Sequence, residues 1–217
     1  MIKGLIFDFD GTLAETNTLI LKAMGKTFVE LFGGYTDAQL LACIGPPLIE
    51  TARTLFPEDP QRLVDTYRKH QFEMHDDMIS AYPGVMALLD ALQKTGVKMA
   101  IVTSKKRDMF LKGLHKLNMA SYFEVTVTED DATHHKPNPE SVQLALDQMG
   151  LTGADCLMIG DNYHDLLAAR AAGVKSVAVS WSIKGVAFLK TYDPDFILEE
   201  AMDLFEIVEA LGGFENE

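Results

Sequence analysis

Six short apolar runs recur along this 217-residue chain, at Gly4–Asp8, Val97–Thr103, Phe123–Thr128, Cys156–Gly160, Lys175–Ser180 and Asp195–Leu198. They limit its fold more than any other feature. Several are apolar at consecutive positions rather than alternate ones, as strands covered on both faces must be. Helical patterns fill the gaps. Val85, Leu88, Leu89 and Leu92 follow Pro83-Gly84 and stop before Gly96, and Val142, Ala145, Leu146 and Met149 follow Asn138-Pro139 and stop at Gly150. Cap-like residues at the start and Gly at the end are the punctuation of helices. Strand alternating with helix predicts an α/β protein on a doubly wound, Rossmann-like parallel sheet.

One stretch breaks the alternation. From about Thr16 to Ser80 the pattern is helical throughout, with Ile20, Met24, Phe28 and Leu31 forming a stripe that ends at Gly33-Gly34. Thr36 with Gln39 reads as a capping box, and Pro60 after Asp59 opens a helix expected to reach about Met74. About four helices inserted after the first strand predict a separate all-helical cap domain, residues 16–80, over a core of residues 1–15 and 81–217. Its linkers near Thr16 and Ser80 are expected hinges. The last residues, Gly213 to Glu217, read as a loose tail.

Charge narrows the partners. The net charge is −13 and the pI near 4.8, which argues against nucleic acid or an anionic membrane surface. Cys43 and Cys156 have no CxxC spacing, so the expectation is two reduced thiols rather than a zinc site or a disulfide framework. No apolar stretch has the length of a membrane span, and the first strand begins too close to Met1 for a signal peptide. A cytoplasmic protein is expected.

Four of the segments bear chemistry at their carboxyl ends. After Gly4-Leu5-Ile6-Phe7 come Asp8 and Asp10, and alternate residues of a strand point the same way. Two close carboxylates repel unless a cation sits between them, and a hard divalent ion, most simply Mg²⁺, would resolve the conflict. Gly11 allows a sharp turn whose N–H groups, with that of Thr12, face an anion. The run ending at Thr103 continues with Ser104 and Lys105: hydroxyls and a cation suited to phosphoryl oxygens, or equally the N-cap of the next helix. Lys136, flanked by Pro137, is a fixed lysine able to neutralise a carboxylate and an incoming phosphate, or a plain loop residue. His134 and His135 read as solvated. Cys156–Gly160 leads to Asp161, a further metal carboxylate, then Asn162 and Asp165. Asp165 is suited to orient a metal-bound water or to pair with Lys136, or else serves the helix N-terminus. Ligands of such sheets bind at the carboxyl ends of the strands.

Asp8-Phe9-Asp10-Gly11-Thr12, the Thr103 strand end, Lys136-Pro137 and Gly160-Asp161-Asn162-Tyr163-His164-Asp165 together resemble, in order, the four motifs of the haloacid dehalogenase-like hydrolases. The helical insert is similar to that family's C1-type cap. The resemblance implies Asp8 as a nucleophile forming an aspartyl-phosphate and Asp10 as general acid, then base. It implies Thr103 and Lys136 as phosphate ligands, with Mg²⁺ held by Asp8, the Asp10 carbonyl and Asp161. Dehalogenases have no leaving oxygen to protonate and lack the second aspartate, so Asp10 argues for phosphoryl transfer. Ile44-Gly45-Pro46-Pro47-Leu48 and Ser180-Trp181-Ser182-Ile183-Lys184-Gly185 resemble the branch of small bacterial pyrophosphatases, itself similar to phosphoglycolate phosphatases. The expected substrate is inorganic pyrophosphate, with Gly45, Pro46, Arg53, Lys105 and Arg107 as candidate specificity residues for its second phosphoryl. Phosphoglycolate or another small phosphomonoester is the alternative. A phosphosugar mutase shares all four motifs, whereas a non-catalytic binding protein of this fold would lack a carboxylate that is present here.

Overall fold

The computed structural model describes residues 1–44 and 48–215. The chain forms two compact units, Met1–Ala14 with Ala81–Glu217, and Glu15–Ser80. In chain order the elements are β1 (Gly4–Phe7), β2 (Ala14–Glu15), α1 (Asn17–Phe32), α2 (Asp37–Ala42), α3 (Leu48–Leu55), α4 (Pro60–Met78), β3 (Ser80–Ala81), α5 (Val85–Gln93), β4 (Lys98–Val102) and α6 (Arg107–Lys116). There follow β5 (Val125–Val127), α7 (Glu140–Met149), β6 (Cys156–Gly160), α8 (Tyr163–Ala171), β7 (Lys175–Val179), α9 (Val186–Lys190), β8 (Phe196–Leu198) and α10 (Leu204–Ala210).

Six strands, one from each apolar run, make a sheet in the order β5-β4-β1-β6-β7-β8. Every pairing is parallel, with Gly4 of β1 opposite Lys98 on one side and Cys156 on the other. On one face Ile6, Ala100, Val102 and Met158 pack with Val142, Ala145 and Leu146 of α7 and Ala168 and Ala169 of α8. Toward the other face Phe9 meets Phe110 of α6 edge-on, ring centroids 5.2 Å apart. With both faces covered, neither set of alternate positions is free to be polar, and the runs are continuous. Each fully buried Leu, Ile or Phe contributes about 1.5–3 kcal/mol through burial. From β1 the sheet order runs outward through β4 to β5, and from β6 through β7 to β8. Neighbouring strands β1 and β6 thus send their connections opposite ways, and the carboxyl ends of strands at such a switch point are where open α/β sheets bind ligands.

The Glu15–Ser80 unit has its own core, in which Met24 and Phe28 of α1 pack with Leu40, Ala52, Leu63, Val64 and Tyr67. Helix α1 ends where Gly33 turns left-handed at φ 77°, Thr36 and Gln39 form a capping box, and Asp59 caps α4 ahead of Pro60. Helix α4 runs to Met78, past the Met74 suggested by its apolar stripe. The stripe is continued by polar side chains: Gln71 and His75 are buried one and two turns after Tyr67. No helix among the described residues is long and apolar enough to cross a membrane. Both cysteines are buried, and neither is in a disulfide.

The carboxyl terminus is not loose over its described part. The Ile2 N–H donates to the Gly213 carbonyl at 2.9 Å and the Glu215 N–H to the Ile2 carbonyl at 3.1 Å. Phe214 meets Phe205 edge-on. The backbone groups just ahead of β1 need partners, and the residues after Gly212 supply them. A run of Gly and Glu in the sequence does not disclose that demand.

Candidate active site

Strand β1 ends at Phe7, one residue short of Asp8, although the Asp8 N–H still donates to the Ile159 carbonyl of β6 at 2.9 Å. Beyond it the chain closes into a turn. The N–H groups of Leu13 and Ala14 both donate to the Phe9 carbonyl, and the Gly11 N–H donates to the Ala14 carbonyl at 2.9 Å. Strand alternation therefore does not govern Asp8 and Asp10. Their carboxylates have different partners: Asp8 accepts from Lys136 Nζ at 2.9 Å, and Asp10 from Lys105 Nζ at 2.7 Å.

Gly11 adopts φ +83°, a conformation side chains resist. A Cβ there would lie 2.3 Å from Asp161 Oδ2, so the turn after β1 rests directly on the carboxylate after β6. Gly11→Ala is expected to cost about 1–3 kcal/mol through backbone strain alone and to displace Asp161. Circular dichroism should show an earlier thermal transition, and any activity that uses these carboxylates should fall with it. Wild-type values for both would mean that the two turns have room to separate. Thr12 beside it is buried, and its hydroxyl has no protein partner among the described residues.

Lys136 is the hub. It is 5% exposed, and its ammonium donates to Asp8, to the Val102 carbonyl at 3.0 Å and to Asp165 Oδ1 at 2.6 Å. Burial would pull its pKa down, but the carboxylates of Asp165 and Asp8 outweigh this and raise it above the usual lysine range. Asp165 spends its other oxygen on the Asn162 N–H at 3.0 Å, in a capping box that opens α8. It therefore both pairs with the lysine and serves the helix N-terminus. Lys136 is no plain loop residue.

The carboxylates of Asp8, Asp161 and Asp165 all lie within 4.8 Å of one another. Burial pushes the Asp8 carboxyl up to about 7, opposed by Lys136 and reinforced by Asp165 and Asp10. Burial, then Asp165 and Asp8, hold Asp161 well above the ordinary carboxylate range. Four carboxyl groups (Asp8, Asp10, Asp161, Asp165) face two ammonium groups (Lys105, Lys136); ionising all four leaves an excess of two negative charges, which one divalent cation would offset. With both oxygens of Asp165 engaged, Asp8 and Asp161 have the oxygens to offer a small, hard ion. The residues fit such a metal.

Around this centre the remaining candidates take definite positions. Thr103 is buried, and its hydroxyl accepts the Lys105 N–H at 3.2 Å. It is not the N-cap of α6, a place held by Lys106. Ser104 lies between Thr103 and Lys105, half-buried. Lys105 is 9% exposed, with its ammonium 5.8 Å from the centre of the Phe9 ring. Arg107 is half-buried and bound to the Asp131 carboxylate. Arg53 is exposed on α3 of the helical unit, while Gly45 and Pro46 lie outside the described residues. His134 is exposed and pairs with Glu140 at 2.7 Å. Two residues quoted above only for a resemblance also reach the centre. Trp181 Nε1 donates to the Thr12 carbonyl at 3.2 Å, and the Ser182 hydroxyl to the Asp161 carbonyl at 2.6 Å. No spacing rule links them to residues so distant in the chain.

Carboxylates and a buried lysine gathered at a switch point of a doubly wound sheet are the frame of an enzyme for a charged substrate. The family model described as haloacid dehalogenase-like hydrolase matches residues 5–179, and the chain belongs to that family. It is a phosphatase of the family. Over 207 residues it is 37% identical to Pyrophosphatase PpaX of Oceanobacillus iheyensis, covering 95% of this chain and 97% of that protein. Over 210 residues it is 41% identical to Pyrophosphatase PpaX of Bacillus pumilus, covering 96% of this chain and 97% of the relative. Among solved structures, a Lactobacillus plantarum protein described as a candidate phosphoglycolate phosphatase superposes with a TM-score of 0.87 at 23% identity, covering 95% of this chain and all of that one. That last likeness speaks for the fold.

Proposed function

We propose that the chain is a cytoplasmic, Mg²⁺-dependent phosphohydrolase that works through an aspartyl-phosphate on Asp8 and takes inorganic pyrophosphate as substrate. The observation that carries the reading is the contact of Asp8 with Lys136 beside Asp161 and Asp165, in a chain akin to proteins named pyrophosphatase. Asp8 attacks phosphorus in line while Asp10 gives its proton to the leaving oxygen. Asp10 then takes a proton from the water that attacks the aspartyl-phosphate, returning Asp8 and two phosphates. Lys136 offsets the charge of nucleophile and substrate, with Thr103, Ser104 and the Thr12 N–H as donors to phosphoryl oxygens, whereas the Gly11 N–H is spent on the Ala14 carbonyl. Mg²⁺ held by Asp8, Asp161 and the Asp10 carbonyl would supply positive charge against which an anionic substrate can approach a carboxylate. Asn162 and Asp165 steady this set. The Glu15–Ser80 unit serves as the cap, with Thr16 and Ser80 as hinges and Gly45, Pro46 and Arg53 as its candidate specificity residues.

The test is a phosphate-release panel with Mg²⁺ on pyrophosphate, phosphoglycolate, sugar phosphates and nucleotides. Pyrophosphate is expected to give the highest kcat/KM, with activity lost on chelation and restored by Mg²⁺. Pyrophosphate leaves as a charged phosphate, so a cation beside Asp10 matters more for it than for a phosphomonoester. Lys105→Ala is expected to lower kcat/KM for pyrophosphate at least tenfold. Arg107, already engaged by Asp131, should contribute less. A tenfold preference for phosphoglycolate, or unchanged pyrophosphate hydrolysis in both Lys105→Ala and Arg107→Ala, would remove the substrate assignment.

A further inference from the structure

The segment after β7 contacts the site at two points with adjacent residues. Trp181 and Ser182 follow Val179-Ser180, and their donors reach two different turns. The Trp181 indole N–H bonds the Thr12 carbonyl, in the turn that follows Asp8. The Ser182 hydroxyl bonds the Asp161 carbonyl, in the turn after β6, and itself accepts the Lys184 N–H at 3.1 Å. These two turns already touch where Gly11 lies against the Asp161 carboxylate.

The segment is itself fastened. The Ser180 N–H donates to the Leu198 carbonyl at 2.9 Å and its hydroxyl to the Glu199 carbonyl at 2.8 Å. The Trp181 ring lies 5.8 Å from that of Tyr82, whose N–H donates to the Leu13 carbonyl at 3.1 Å. Ser182 is buried. A segment anchored at β8 and bonded to both turns resists any change in their separation.

We propose that Trp181 and Ser182 are positioning residues: a two-point strap that sets the distance between the Asp8–Thr12 turn and Asp161, and through it the affinity of the site for a divalent cation. The inference rests on the metal part of the proposed function. Neither residue is among the proposed ligands of the ion. Each bonds a backbone carbonyl of a turn that carries a ligand, and groups that orient ligands in this way are worth roughly ten- to a hundredfold in metal affinity or activity. A loose strap would widen the gap between Asp8 and Asp161, which a small cation with a narrow range of bond lengths tolerates poorly.

Trp181 is the chain's sole tryptophan, so emission excited selectively from tryptophan reports on the strap alone. Titrating the whole protein with Mg²⁺ should change Trp181 emission with the same midpoint as calorimetric Mg²⁺ binding. Ser182→Ala should weaken both midpoints about tenfold while the thermal transition stays within a few degrees. Ser182→Thr, which keeps the hydroxyl, should recover most of the loss. Trp181→Phe, which keeps a ring but not the donor, should weaken calorimetric binding several-fold. Mg²⁺ bound by wild type, Ser182→Ala and Trp181→Phe with equal affinity would overturn the strap and leave the proposed function standing. Absence of Mg²⁺ binding in wild type would overturn both.

Discussion

Asp8→Asn is expected to cut phosphate release to a thousandth of wild type or less, because an amide oxygen is a far weaker nucleophile than the carboxylate it replaces. The two side chains are nearly isosteric, so the fold should survive. Lys136 keeps Asp165 at 2.6 Å, and loss of one carboxylate relieves the crowding with Asp161 and Asp165, so the thermal transition should hold or rise. Acid quenching of wild type during turnover should trap phosphoprotein, and the variant should trap none. Asp10→Asn belongs to the same test. It should slow both formation and breakdown of the phosphoprotein, since one group serves both steps. Residual turnover in Asp8→Asn above about a thousandth of wild type would remove the covalent route.

Lys136→Met should have the largest effect on stability. The variant leaves Asp8, Asp161 and Asp165 within 4.8 Å of one another without the ammonium that bonds two of them, and it strips a donor from the Val102 carbonyl. Removing one partner of a buried ion pair costs about 3–5 kcal/mol. At about 2–4 °C per kcal/mol for a chain of this size, the thermal transition should fall by roughly 6–20 °C. Added Mg²⁺ should return part of that loss in a concentration-dependent way, because a ligand that binds only the folded state stabilises it by mass action. Melting curves by circular dichroism with and without Mg²⁺ provide the measurement. An unchanged transition would show that the carboxylates neutralise one another by sharing protons, without need of the lysine. Turnover should be lost with or without Mg²⁺.

The strands were legible in the sequence because a sheet covered on both faces leaves no polar alternation to confuse with a helix. The helical insert was legible from its caps, with Thr36 and Gln39 forming the box their spacing suggested. Its last helix was read short because Gln71 and His75 take buried positions an apolar stripe would mark. The carboxyl-terminal residues were read as loose because backbone demand at Ile2 leaves no trace in side chains. At the site, residue types at strand ends announced the chemistry. The choice between an N-cap and another role for Thr103 rested on where α6 begins, and its N-cap falls at Lys106, beyond the hydroxyl residues.

What the sequence by itself determined is a list of groups and their order: carboxylates at Asp8, Asp10, Asp161 and Asp165 and an ammonium at Lys105, each a short step past an apolar run that had to be a strand, and a further ammonium at Lys136 in the loop between β5 and α7. That much follows from local periodicity and from the rule that parallel sheets present ligand sites at their carboxyl ends. Which charge meets which was decided by the tertiary structure alone. Lys136 reaches Asp8 across 128 residues and Lys105 reaches Asp10 across 95, pairings set by the order of β5, β4 and β1 in the sheet. Trp181 and Ser182 gained their places in the same way, because parallel pairing carries the end of β7 to the side of β6. Separation along the chain says nothing of such contacts; the register of neighbouring strands does.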